Sequence, residues 1–412
     1  MGILDDTGNL FKLYDYICGE SECPKQYHFW ACVAGIAAAL RDKCWVEIIP
    51  GMPLKPNLYV GLIGPGSLGK GWAISQIVSI LNAATETQTY RGKLTYAALI
   101  DKLGKPYTNA LGEKRLANPV LLLIMDELKN AVGSNKALVE ELVSQLTELY
   151  TATNYQLQTS TRKDGEITVD KSCLCWLFGS TPTWLKHVLT QDIFESGFIA
   201  RCCFIHAGYN LKKRILKPRY PADREKIFDH IQQRFYHMTL AYQGEFSITP
   251  KAEELILSWY DTRDAPQERL LYSIWYRQKE LLLRFCMINC VADGGAMMIQ
   301  PIHVKRSIKM VKFVFQNAVH LLTNATQSYE TSCISAVAEK IKAKIAIKKC
   351  DLNRYFSSNR GLSAQRVNKA VADLIEQDLV ETKRSPQGRG LIYMWKTPKE
   401  KPNAQAENYD KR

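Results

Sequence analysis

The chain has 412 residues, with 54 Lys and Arg against 41 Asp and Glu and a formal net charge of +13. That length leaves room for roughly two or three domains and a sizeable core, and the basic balance fits a polyanionic partner, most simply nucleic acid. Its first residues do not form a basic, apolar leader, no apolar run reaches the length of a membrane span, and twelve cysteines in that context read as reduced thiols; the expectation is a cytoplasmic location with no membrane partner.

Residues 1–56 are expected to be mainly helical, with Tyr14, Ile17, Phe29, Trp30, Val33 and Ile36 forming apolar faces. Cys18, Cys23, His28 and Cys32 have the residue types of a zinc knuckle without its spacing. Cys32 falls in an apolar helical run and Cys-x-x-Cys is missing, so these read as buried thiols. Pro50, Pro53 and Pro56 mark a connector into an apolar strand at 58–63.

The next stretch carries the chemistry. Gly64, Pro65, Gly66, Ser67, Leu68, Gly69 and Lys70 lie between that strand and a helical pattern at 72–81. Strand, glycine-rich turn, lysine and helix make up the context of a phosphate-binding P-loop. The glycines let backbone N–H groups converge on phosphate oxygens, the helix N-terminus adds its positive end, and Lys70 can reach the β and γ phosphates. Gly71 and Trp72 follow, where a Ser or Thr hydroxyl ordinarily binds Mg²⁺. Without it the metal falls to Asp126, water and the phosphates, or to a hydroxyl elsewhere such as Ser67 or Ser75. The plain alternative is a glycine turn with no ligand.

A helix is expected over 93–103 and a polar loop over 109–118. The unbroken apolar run 119–125 reads as a strand buried on both faces and ends in Asp126-Glu127. An acidic pair at that point is the Walker B arrangement, with Asp126 for Mg²⁺ and Glu127 to polarise the attacking water. Both motifs belong at the carboxyl ends of parallel strands. A helix at 138–150 follows, then two alternating strands around Arg162-Lys163-Asp164-Gly165, a hairpin signal. A core strand at 173–178 ends in Gly179-Ser180-Thr181-Pro182, and another at 200–205 carries Arg201 near its start. Cys173, Cys175, Cys202 and Cys203 read as packing. Residues 222–325 are expected to be helical, broken near Pro266 and Gly294-Gly295.

The C-terminal segment reads as a separate module. Helical patterns at 334–345, 350–356 and 364–376 precede strands at 379–383 and 390–395, the order of a winged helix. Val367, Val371, Leu374 and Ile375 are expected to face inward. Arg366 and Lys369 on the third helix, with Lys383, Arg384 and Arg389 around the wing, are the candidate DNA contacts. The expected domains are 1–56 (helical), 57–221 (ATPase core with hairpin insert), 222–328 (helical lid), 329–397 (winged helix) and 398–412 (disordered tail).

This motif order resembles the MCM-like AAA+ replicative helicases of phages, plasmids and mobile elements, and most closely the primase-associated helicase family long labelled a domain of unknown function. The segments Pro53-Leu-Lys-Pro-Asn57-Leu-Tyr-Val-Gly-Leu-Ile-Gly64, Gly179-Ser-Thr-Pro182, Ser196-Gly-Phe-Ile-Ala-Arg201 and Trp275-Tyr-Arg277-Gln-Lys-Glu-Leu carry it. The resemblance implies an α/β P-loop NTPase core of AAA+ type with a helical lid. Ser180 or Thr181 becomes the first sensor and Arg201 the arginine finger onto a neighbouring subunit. Arg277, with Arg284 as fallback, becomes the second sensor, and Arg162 and Lys163 a hairpin tip in the ring channel. The implied activity is an ATP- and Mg²⁺-dependent helicase, a homo-hexamer on single- and double-stranded DNA, working with a separate primase or replication initiator. Two rivals stay open: a P-loop ATPase that loads another machine, and a nucleotide-dependent DNA-binding switch.

Overall fold

A computed structural model describes residues 9–85, 87–92, 95–108, 114–115, 118–129, 136–161, 165–188, 197–209, 215–360, 362–385 and 390–396. The chain divides into two compact units, Met1–Leu321 and Leu322–Arg412, with the division falling inside the helix Pro301–Lys344.

The apolar runs dictate the centre of the first unit. Strands Tyr59–Ile63, Val120–Met125 and Cys173–Ser180 are buried at every residue, as strands covered on both faces must be. They form a five-stranded sheet in the order Cys202–His206, Tyr59–Ile63, Cys173–Ser180, Val120–Met125, Thr89–Arg91, with every neighbouring pair parallel. Numbered along the chain, the order is 5-1-4-3-2. The chain leaves the first strand toward one edge and the fourth toward the other. These two strands are adjacent, so the connections part between them and a crevice opens beyond their carboxyl ends. The fold is therefore mixed α/β around an open parallel sheet.

Helix Lys25–Leu40 is buried on nearly every side. It packs on the sheet and on helix Lys70–Ala84, where Gly35 leaves space that Ile77 fills. The N-terminal region is less helical than its composition suggests. Strands Cys44–Ile49 and Met52–Leu54 form an antiparallel hairpin turned at Gly51, whose φ is +77°. Pro53, expected in a connector, sits in the outer strand of that hairpin; the inner strand pairs on its other side with Gly244–Glu245. An edge strand tolerates the missing N–H.

The second hairpin matches expectation. Gln156–Thr161 and Gly165–Asp170 pair through six residues each. Gly104, closing helix Tyr96–Gly104, lets that helix approach the second strand of the hairpin, where a Cβ would stand 2.6 Å from Ile167 Cγ2. The tip residues Arg162 and Lys163 lie outside the described residues. Helices Arg224–Ala241, Pro250–Asp261 and Tyr272–Ala292 follow, with breaks spanning Pro266 and Gly294-Gly295.

In the second unit, helices Lys349–Arg360 and Ala364–Glu376 precede strands Val380–Arg384 and Leu391–Trp395. A strand the patterning did not announce, Ala346–Lys348, pairs with Leu391–Trp395 and completes a three-stranded antiparallel sheet. Val367, Val371 and Leu374 are buried beside Leu352 and Phe356. Ile375 does not face inward: it is 40% exposed, because the inward stripe runs through 367, 371 and 374 and leaves 375 turned aside.

All twelve cysteines are free and ten are buried. Among the described residues no cluster of His, Cys, Asp and Glu could hold a metal ion, and no helix is long and apolar enough to cross a membrane.

Candidate nucleotide site at the carboxyl rim

The loop from Gly64 to Lys70 leaves the first strand at the crevice and enters helix Lys70–Ala84. Its glycines have separate reasons. Gly69 is the helix N-cap in the left-handed region, φ +81°, and a Cβ there would stand 2.9 Å from Cβ of Cys23. A Cβ on Gly64 would collide with the Tyr27 hydroxyl and reach 2.7 Å from the Ala207 carbonyl. Gly66 faces open space. Ser67 also has positive φ, +62°. The loop is braced from both flanks: Tyr27 Oη donates to the Ile63 carbonyl at 2.7 Å and Tyr209 Oη to the Gly66 carbonyl at 2.8 Å.

Lys70 is buried, and its Nζ donates to the carbonyls of Gly64 at 2.8 Å and Pro65 at 2.7 Å. Burial lowers its pKa, and the nearby Glu127 carboxylate opposes that shift. Trp72, on the first turn, meets the His28 ring edge-on at 4.9 Å. Pro65 and Leu68 complete the loop wall, with Leu68 buried. Beside it, Trp72, Gln76, Arg224 and Phe228 wall an open groove of about 480 Å³.

Asp126 and Glu127 follow the strand Val120–Met125 directly, and both are half-buried. Burial pushes the Glu127 carboxyl above the ordinary carboxylate range, while Lys70 and Lys129 pull the other way. Gly179 allows this approach, because a Cβ there would run into the Asp126 backbone carbonyl. A Cβ on Gly71 would sit 3.7 Å from Asp126 Oδ1, with no other atom within 4 Å. Position 71 therefore faces the Asp126 carboxylate across open space. Asp126 is the residue beside the loop that could hold a divalent cation, and its Oδ1 faces position 71.

Ser180 is fully buried. Its backbone carbonyl accepts from the Gly64 N–H at 3.1 Å, tying the loop to the neighbouring strand. The Thr181 Oγ1 accepts from the Trp184 N–H at 3.3 Å. Ser180 thus stands beside the loop, and Thr181 follows it in the chain.

Sequence reasoning missed Arg91. It closes the edge strand Thr89–Arg91 and donates to both oxygens of Asp126, Nε to Oδ2 at 2.6 Å and Nη2 to Oδ1 at 2.5 Å. One arginine in a three-residue strand leaves no periodic trace, and only the pairing of that strand with Val120–Met125 brings it to the acid.

The other arginines gather elsewhere. Arg201 precedes Cys202, whose register partner is Tyr59, so it lies at the amino end of the sheet. That is roughly 16 Å of strand from Gly64. Its Nη1 donates to the Gly197 carbonyl at 2.8 Å. Arg277 and Arg284 both pair with Glu280, at 3.3 and 3.4 Å, and Arg284 stacks over Tyr150 at 4.8 Å. All four charged residues line one small cavity with Tyr150. Burial, then the neighbouring Arg277, lowers the Arg201 pKa. Arg277, expected as a second sensor beside a nucleotide, stands apart from the Gly64–Lys70 loop. Packing of helix Tyr272–Ala292 against the turn Ile199–Arg201, and the Glu280 pairing, hold Arg277 at the opposite rim.

In the second unit, Arg366 is half-buried and Lys369 exposed on helix Ala364–Glu376. Lys383 and Arg384 are exposed on strand Val380–Arg384, with Lys383 paired to Glu381 at 3.3 Å. Arg389 lies outside the described residues.

No protein-family model matches this chain, and no curated protein matches it.

Proposed function

We propose that this chain is a P-loop ATPase that acts as a motor on DNA. The observation that carries the reading is the meeting of Gly64–Lys70 with Asp126-Glu127 at the crevice of a parallel sheet, with Lys70 and Glu127 close enough to shift each other. The groove beside Trp72 and Phe228 has the size and aromatic walls to take a nucleoside.

In this reading the loop N–H groups receive the phosphates, and the Lys70 ammonium moves from the Gly64 and Pro65 carbonyls onto the β and γ oxygens. Asp126 would hold Mg²⁺, whose charge would offset that of the phosphates. Glu127, made more basic by burial, orients water and accepts its proton. Ser180 and Thr181 stand beside the γ-phosphate position. Arg201 and Arg277 are turned away from this site, which supports a homo-oligomer, a hexameric ring, in which they complete the site of a neighbouring subunit. The helix–strand–helix–helix–hairpin order of the second unit supports a winged helix, with Arg366, Lys369, Lys383, Arg384 and Arg389 on duplex DNA. Arg162 and Lys163 serve as the channel contact. A separate primase or initiator supplies priming.

A second reading has its own observation. Gly71 offers no hydroxyl to the metal, which favours a loader or a slow nucleotide-dependent DNA-binding switch. ATP turnover with and without single-stranded DNA, together with the mass of the ATP-bound assembly, separates them. The motor gives DNA-stimulated turnover and a ring mass. Unstimulated, near-zero turnover by a monomer supports the switch.

A further inference from the structure

Asp126 already has a cation. The Arg91 fork engages both of its oxygens, and Nη2 also donates to Ser75 Oγ at 3.0 Å. Ser75 lies one helical turn beyond Gly71 on helix Lys70–Ala84. The guanidinium therefore bridges the end of the acid-bearing strand and the helix that opens at the loop. Two-pronged arginine–carboxylate bonds are among the stronger polar contacts a protein makes. One of the two oxygens taken, Oδ1, is the atom that faces position 71.

We propose that Arg91 gates the metal subsite: it is a resident counter-cation that competes with the divalent ion for Asp126, and the fork opens when a metal-bearing nucleotide seats. The inference rests on reading Gly64–Lys70 as the nucleotide loop. Two physical arguments support it. A carboxylate neutralised by a guanidinium attracts a dication less, and the two cations repel each other across a few ångströms of partly desolvated protein. Gly71 offers no hydroxyl, and the Ser75 hydroxyl is itself engaged by Arg91, so the protein's share of the metal shell leans on Asp126. A residue that occupies Asp126 controls that share. The side chains of Arg91 and Asp126 are 43% and 42% exposed, so the fork can swing into water, where a guanidinium is well solvated.

The test uses the full chain with a non-hydrolysable ATP analogue and Mn²⁺, whose free EPR signal disappears on binding. Arg91→Met is expected to bind Mn²⁺ about tenfold more tightly than the parent. Arg91→Lys keeps the charge without the fork and falls between the two. Ser75→Ala frees only the Nη2 edge and shifts affinity the same way by a smaller factor. Analogue binding in EDTA is measured alongside, with Lys70→Ala as control. Unchanged or weaker Mn²⁺ binding by Arg91→Met, with Lys70-dependent analogue binding intact, overturns the gate and leaves the nucleotide site standing. If the parent's analogue binding does not depend on Lys70, the nucleotide site and the gate fall together. Should Arg91→Met fail to fold, parent-like Mn²⁺ affinity in both Arg91→Lys and Ser75→Ala overturns the proposal.

Discussion

The two rims of the parallel sheet handle charge in opposite ways. At the carboxyl rim each charged group has a partner within the site: Lys70 has the loop carbonyls, Asp126 has Arg91, and Glu127 lies near Lys70. At the amino rim Arg201, Arg277 and Arg284 share one carboxylate, Glu280, around Tyr150. Burial of a guanidinium beside like charge is unfavourable, as the lowered Arg201 pKa records. On the reading proposed above, a ligand at the first rim displaces these internal contacts. The second carries surplus positive charge that an anion from outside the chain would balance. On the proposed reading, a phosphate held by a neighbouring subunit is such an anion.

The sharpest break in that comparison is Lys70→Ala. It removes the cation of the carboxyl rim and leaves the other rim untouched. Nucleotide affinity, read by calorimetry, is expected to fall by about a hundredfold or more. Unchanged affinity would sink the loop as a phosphate site.

Glu127→Gln keeps Asp126, Arg91 and Lys70 in place. Binding should persist while turnover falls by roughly 10²–10⁴-fold. The parent should also show an acid limb. A base acts when deprotonated, and burial raises the Glu127 pKa, so turnover is lost on acidification at a higher pH than for an ordinary carboxylate. The residual activity of Glu127→Gln should lack that limb. A parent-like profile in the variant would assign the base elsewhere.

Arg201→Ala probes the amino rim. ATP binding should stay near the parent value while turnover of the assembly falls, by about tenfold or more. Mixed with Lys70→Ala subunits it should recover part of the activity, because one intact site can form from two half-competent chains. Arg277→Ala should behave as Arg201→Ala does, since the two share one cavity. Full loss of nucleotide binding in Arg277→Ala would assign that residue to its own chain's nucleotide site.

Legibility in the sequence followed the range of the interactions. The three wholly buried strands, the hairpin over 156–170 and the helix Ala364–Glu376 each announce themselves through local periodicity, and the structure has all of them. Thr89–Arg91 and Ala346–Lys348 are three residues each, too short for a period, and exist because a longer strand offers an edge. The same holds for side chains. Asp126 and Glu127 were visible because an unbroken apolar run, 119–125, ends on them. Arg91 was not, because its meaning comes from a partner 35 positions away. The resemblance gives Arg277 a role, but its place beside Arg201 comes from the packing of helix Tyr272–Ala292 on the turn Ile199–Arg201, which no local pattern announces.

The smallest effect concerns the space at position 71. Gly71 lies in the first turn of helix Lys70–Ala84, and its φ is not positive, so a side chain brings no backbone strain. Serine is also a better helix former than glycine. The Cβ would rest in ordinary contact with Asp126 Oδ1 at 3.7 Å and meet nothing else within 4 Å. Gly71→Ser should therefore fold and give the metal a second protein oxygen. Mn²⁺ affinity in the nucleotide complex is expected to rise by about fivefold. The gain should be larger in the Arg91→Met background, where Asp126 no longer has to exchange one cation for another. A loss of nucleotide binding in Gly71→Ser would mean that the phosphates pass where the Cβ stands. Gly71 would then be a glycine of close approach, as Gly69 is toward Cys23, and the metal would have to be held without any contribution from that turn.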